Sequence, residues 1–144
     1  METVNLSFDI ETSDAGCPIS VEILLNGIVL LQNQHVQQKI EFSHDFNDDD
    51  GDHELQIVIT GKTTDHTVID EHGNITKDAV LQISNAVLDE VVLHHLFFDH
   101  CVYTHDFNST QPEIKDIFLG LAGCNGTISF KFSTPIYLWL LENM

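Results

Sequence analysis

Basic residues are the scarcest feature of this chain: five Lys and Arg stand against 23 Asp and Glu in 144 residues, a formal net charge of −18. Binding to nucleic acid or to an anionic membrane depends on Lys and Arg to displace counterions from phosphates, so neither is expected as a partner. Such a surface suits cations, high ionic strength or a basic protein. Cysteine is nearly absent as well. Cys17, Cys101 and Cys124 are widely spaced and form no CxxC, which argues against a disulfide framework and a zinc-thiolate site and leaves them as small core residues in a reducing compartment. No apolar run approaches the ~18 residues of a spanning helix. The opening METVNLSFDIE has neither the basic nor the apolar region of a secretory signal. Catalytic signatures are missing too: there is no HExxH, GxSxG or Walker motif. Gly120, Gly123 and Gly126 in GLAGCNG lead to no GK[ST] and to a strand rather than a helix. No enzyme is expected.

What is present alternates with a step of two. In VNLSFDIE, Val4, Leu6, Phe8 and Ile10 share one face and Asn5, Ser7, Asp9 and Glu11 the other, the pattern of a half-buried strand. ISVEILLNGIVLLQ is two apolar runs around Asn26-Gly27, a type I′ hairpin signal. KIEFSHDF, DHELQIVIT, AVLQISNAVLDEVVL, LFFDHCVYTH and TISFKF continue the series with polar turns between them. This succession predicts an all-β fold, an antiparallel β-sandwich or jelly roll over residues 1–133 of a single domain. STPIYLWLLENM breaks the alternation: Thr134 reads as an N-cap and Pro135 as the first residue of a short C-terminal helix over 134–144. Its apolar residues Ile136, Tyr137, Leu138, Trp139, Leu140 and Leu141 must either plug the sandwich or dock on another subunit.

Two local patterns bear on binding. Asp45, Asn47, Asp48, Asp49, Asp50 and Asp52 place six oxygen donors in eight residues, hard-ligand chemistry of the kind Ca2+ prefers. The spacing is not that of an EF-hand, because Asp50 stands where Gly is required and Gln56 where Glu is. A second acidic patch, Asp65, His66, Thr67 and Asp70, offers further ligands from a neighbouring loop, and the bland alternative is the solvated tip of a hairpin. The word SHDFN at 43–47 recurs as THDFN at 104–108. A metal shared by His44 and His105 on neighbouring strands would explain it, and so would two strands that end in the same way: an aromatic, a His, then Asp and Asn turning the chain.

The succession PISVEILLNGIVL, KIEFSHDFNDDDGDHELQIVITGK and AVLQISNAVLDEVVL resembles the jelly rolls of calcium-dependent xylan-binding modules, in which a VEILLNG hairpin precedes a GxHxLxIxxxG strand. Gly51, His53, Leu55, Ile57 and Gly61 carry that element here, and the resemblance covers residues 4–93. GKTTDHTVIDEHGNI and the ending from YTHDFNSTQPEI to GCNGTISFKFSTPIYLWLLENM are similar to small proteins of marine tailed phages, notably cyanophages, over nearly the whole chain. These resemblances imply a non-enzymatic virion structural protein: a capsid decoration, neck or fibre-associated component assembled in the host cytoplasm. It would self-associate and contact other virion proteins through its terminal helix. The alternative they imply is a calcium-dependent glycan-binding module for adhesion to the host surface. Against a lectin stands the scarcity of aromatic platforms, since the chain has one Trp and two Tyr, Tyr103 and Tyr137.

Overall fold

The computed structural model describes residues 3–13, 19–49, 51–61, 67–69, 71–72, 75–78, 80–93, 95–105, 114–118, 120–122 and 125–143. Strands β1 (Thr3–Thr12), β4 (Ile40–Asn47), β8 (Leu81–Leu88), β9 (Val91–Val92) and β12 (Leu121–Ala122) form one antiparallel sheet. Its order is β12-β8-β1-β4, with β9 paired to β8. Strands β2 (Ser20–Leu25), β3 (Ile28–Asn33), β5 (Gly51–Thr60), β10 (Cys101–His105), β11 (Ile114–Ile117) and β13 (Gly126–Thr134) form the second, in the order β11-β10-β13-β5-β2-β3. A small separate ribbon pairs β6 (Thr67–Ile69) with β7 (Ile75–Asp78). The expected sandwich is therefore present, and the chain ends in the expected helix, α2 (Ile136–Asn143).

Each sheet turns its alternate apolar residues inward. Val4, Leu6, Phe8 and Ile10 of β1 oppose Val21, Ile23, Leu55, Ile57, Ile59, Ile128 and Phe130 of the other sheet, all nearly inaccessible to water. In β8 the buried positions run Leu81, Ile83, then Ala86, Leu88. The change of parity is a bulge: the pairing with β1 shifts register between Ser7 and Asp9. Asn85 at the shift adopts φ 56° and donates to Asp9 Oδ2 at 2.8 Å. The Asn26-Gly27 turn has φ 53° and 82°, as a type I′ hairpin requires. Cys101 is a buried free thiol whose pKa burial pushes far above the ordinary thiol range, so it is inert at neutral pH. Cys17 and Cys124 lie outside the described residues.

Three expectations are corrected. Residues 96–105 are not one strand, since a short helix α1 (His95–Asp99) precedes β10 and buries Phe97 against Phe130 at 4.7 Å between ring centroids. The acidic segment after Asn47 is not a hairpin tip, because β4 and β5 lie in different sheets and the segment crosses from one to the other. Thr134 is not the cap of the C-terminal helix; it is the last residue of β13, paired with Gly51.

Candidate functional site

Helix α2 is capped by the crossover. The Ile136 N–H donates to Asp48 Oδ1 at 2.8 Å, a contact spanning 88 positions in sequence. A carboxylate there satisfies an amide that no helical carbonyl can reach and lies at the positive end of the helix dipole. Beside it, the Thr134 hydroxyl donates to the Asp49 carbonyl oxygen, with the Gly51 carbonyl at 3.4 Å. His53 completes the arrangement. Asn26 Nδ2 lies 2.9 Å from His53 Nδ1, and His53 Nε2 lies 3.0 Å from Thr134 Oγ1. Asn26 Oδ1 accepts from the Glu54 N–H at 2.9 Å, which leaves its amide NH2 to donate to Nδ1 and assigns the ring proton to Nε2. A chain of hydrogen bonds thus runs from the hairpin turn through His53 and Thr134 to the acidic crossover. Asp48→Ala should lower stability by about 1–2 kcal/mol, a fall of roughly 3–6 °C in a chain of this length. Thermal unfolding checks this, and a midpoint unchanged within a degree would remove the cap from the account.

Above this network lies an open concavity. A groove of about 700 Å3 is lined by Asn26, Gly27, Asp52, His53, Glu54, Gln56, Lys131, Phe132, Ser133 and Trp139. The outward alternation of β5 and β13 places Glu54 opposite Lys131 and Gln56 opposite Ser129. The Ser129 hydroxyl donates to Glu54 Oε2 at 2.6 Å, and Lys131 Nζ stands 3.9 Å from the same oxygen. Carboxylate, amide, ammonium and hydroxyl groups line it, while His53, whose two ring nitrogens are already bonded, and the buried Phe132 and Trp139 complete the lining. This is the chemistry of a site that holds a polyhydroxylated ligand by several directed bonds. No local motif marked it, because the groove exists only once β5 and β13, some 75 residues apart, are paired.

The described residues among those singled out from sequence have separate partners. Asp45 accepts from Asn5 Nδ2 at 2.9 Å on the outer face of β1. Asn47 ends β4, Asp48 caps α2, the Asp49 carbonyl is held by Thr134, and Asp52 lines the groove from β5. Asp50, Asp65, His66, Asp70 and the second half of the word THDFN lie outside the described residues. Among the described residues no three His, Cys, Asp or Glu side chains come together as a metal site. His44 and His105 lie on strands of different sheets, so they are not on neighbouring strands. The first copy runs to the end of β4 at Asn47, and the second begins within β10 at Thr104 and His105. The apolar residues of the terminal helix divide. Ile136, Trp139 and Leu140 are buried against their own sandwich, whereas Tyr137, Leu138 and Leu141 are exposed. The Tyr137 hydroxyl donates to Asp89 Oδ2 at 2.6 Å, which raises the phenol's pKa above its ordinary value.

No protein-family model and no curated protein matches the chain. Two solved structures share its fold. One is the selenomethionine form of vCBM60, from work describing circular permutation as a link between two families of calcium-dependent carbohydrate-binding modules. It superposes with a TM-score of 0.53 at 14% identity, over 88% of this chain and 89% of that one. The other, vCBM60 in complex with galactobiose, gives 0.50 at 15% identity, over 88% and 96%. At such identities the shared property is the fold: a jelly-roll sandwich of the carbohydrate-binding-module kind.

Proposed function

We propose that this protein is a non-catalytic glycan-binding module whose site is the groove on the six-stranded sheet. The observation that carries this reading is that Asn26, Glu54, Gln56 and Lys131 line one open concavity of about 700 Å3. Sugar hydroxyls both donate and accept, and this set offers both roles within reach of one ligand. The fold it shares with a module seen in complex with galactobiose supports the same reading. Direct hydrogen bonds from these side chains carry recognition.

Calcium has a separate place. The segment from Asp45 to Asp52 holds the densest set of hard oxygen donors, yet Asp45 and Asp48 already hold Asn5 and Ile136, so an ion there would compete with the helix cap. Calorimetric titration of a glycan panel, in calcium and again in chelator, tests both statements. Binding is expected in both conditions; silence across the whole panel in calcium would sink the glycan reading. In parallel unfolding scans, an ion bound only by the native state would raise the midpoint by mass action.

A second reading concerns the setting. Tyr137, Leu138 and Leu141 are 53%, 57% and 76% exposed along one eight-residue helix, an apolar face left over after α2 has packed on its own core. We propose that the protein self-associates or docks through this face, and that its setting is a virion, as a decoration, neck or fibre-associated component. The two readings combine in an adhesion protein carried on a particle. On a sizing column the native chain should run larger than its Leu138→Asp/Leu141→Asp variant; identical elution as monomers would remove docking through α2.

A further inference from the structure

The groove does not end at the Glu54–Lys131 pair. A second concavity of about 570 Å3 is lined by Glu54, Gln56, His100, Val102, Thr104, Thr127, Ser129 and Lys131. It shares Glu54, Gln56 and Lys131 with the first. The pairing of β10 with β13 sets Val102 opposite Ser129 and Thr104 opposite Thr127 on the same outward face. At the inner end the lining is continuous too, since Trp139 of the first concavity meets His100 of the second edge to face at 5.1 Å. One trough therefore crosses the strands from the Asn26-Gly27 turn at the end of β2, over β5 and β13, to β10. Neighbouring strands lie about 4.8 Å apart, so three steps give a run of roughly 14 Å.

Resting on the glycan reading above, we infer that the ligand is an extended, uncharged oligosaccharide lying across the strands, with successive sugar units on either side of the Glu54–Lys131 waist. Length is the first ground. A single sugar ring or a short end group reaches one compartment, whereas a chain reaches both, and the second compartment then binds at the high effective concentration that the linkage supplies. Charge is the second. At the waist Lys131 offsets Glu54, and Asp52 adds a further carboxylate in the first compartment. Beyond the waist, among the described residues, the second compartment contributes His100, hydroxyls and the Val102 side chain. On a chain of net charge −18, a uronate or sulfated unit would meet like charge both at the site and on approach. Uncharged units meet hydrogen-bonding partners without that cost.

The test titrates the full chain with di-, tetra- and hexasaccharides of galactose, xylose and glucose, and with polygalacturonate as the anionic counterpart. At least one neutral series should gain about tenfold or more in affinity from the disaccharide to the tetrasaccharide, and polygalacturonate should not bind. Val102→Glu at the far end should bring the tetrasaccharide-to-disaccharide affinity ratio close to one. Thr104→Ala, a milder change on the same strand, should reduce that ratio if the first variant folds poorly. Disaccharide binding with no gain in length would overturn the continuous trough and leave the glycan reading standing. Tight binding of polygalacturonate would overturn the charge assignment. Failure of every neutral series would overturn both this inference and the reading beneath it.

Discussion

Trp139→Ala is expected to lower the unfolding free energy by about 3–5 kcal/mol, the cost of deleting a large buried aromatic that its neighbours cannot collapse around. The indole is 6% exposed although it lies on the last helix of the chain. It meets Phe130 edge to face at 5.7 Å and Phe132 at 6.4 Å, and His100 closes its other side at 5.1 Å. Those partners extend inward through Phe97 and outward through His53 and Phe46, so a cavity at Trp139 opens a row of stacked rings rather than an isolated slot. At roughly 3 °C per kcal/mol for a chain of this size, the midpoint should fall by about 10–15 °C. Because Trp139 also lines the groove, glycan affinity should weaken at temperatures where the variant is still folded. Leu141→Ala is the control. That residue is 76% exposed on the same helix, and its loss should stay within about half a kcal/mol. Equal effects from the two changes would mean that α2 does not pack on the sandwich as described.

Much of this fold was legible because strand alternation is a local signal. The buried row Val4, Leu6, Phe8, Ile10 and the Asn26-Gly27 turn could be placed from a few neighbouring residues each. What was not legible depends on pairs far apart in the chain. Asp48 caps a helix that begins 88 residues later, whereas a sequence pattern seeks the cap directly before the helix and finds Thr134. That β4 and β5 part into different sheets follows from which strands each pairs with, and no residue between them announces it. The run His95–Asp99 is short and apolar, and at five residues a buried helix and a buried strand cannot be told apart by periodicity. The separate bonds made by the acidic crossover were not legible for a chemical reason. Carboxylates that cap a helix, bond an amide on the next strand or line a groove have the same composition as a calcium loop, and only their directions differ.

Gly126→Ala should be nearly as damaging as the loss of Trp139, by a different route. Gly126 opens β13 opposite His105 of β10 and Ile59 of β5, with φ 158°. A Cβ built there would sit inside van der Waals contact of the Thr104 carbonyl oxygen and 2.9 Å from Cε1 of Tyr103. The first obstacle is backbone and the second is a ring 3% exposed in the core, so neither can swing aside as a surface side chain would. The remaining response is for β10 to move away from β13, which costs overpacking strain and ladder hydrogen bonds, together about 3–4 kcal/mol. That is roughly a 10 °C fall in the unfolding midpoint. The same movement separates Thr104 from Thr127, which line the far compartment of the trough, and leaves Asn26, Glu54 and Lys131 at the near end in place. Titration of the folded variant should therefore show a larger loss for a neutral tetrasaccharide than for the disaccharide, whereas Trp139→Ala should weaken both. A uniform loss in Gly126→Ala would mean that the two compartments are not separate stations along one chain.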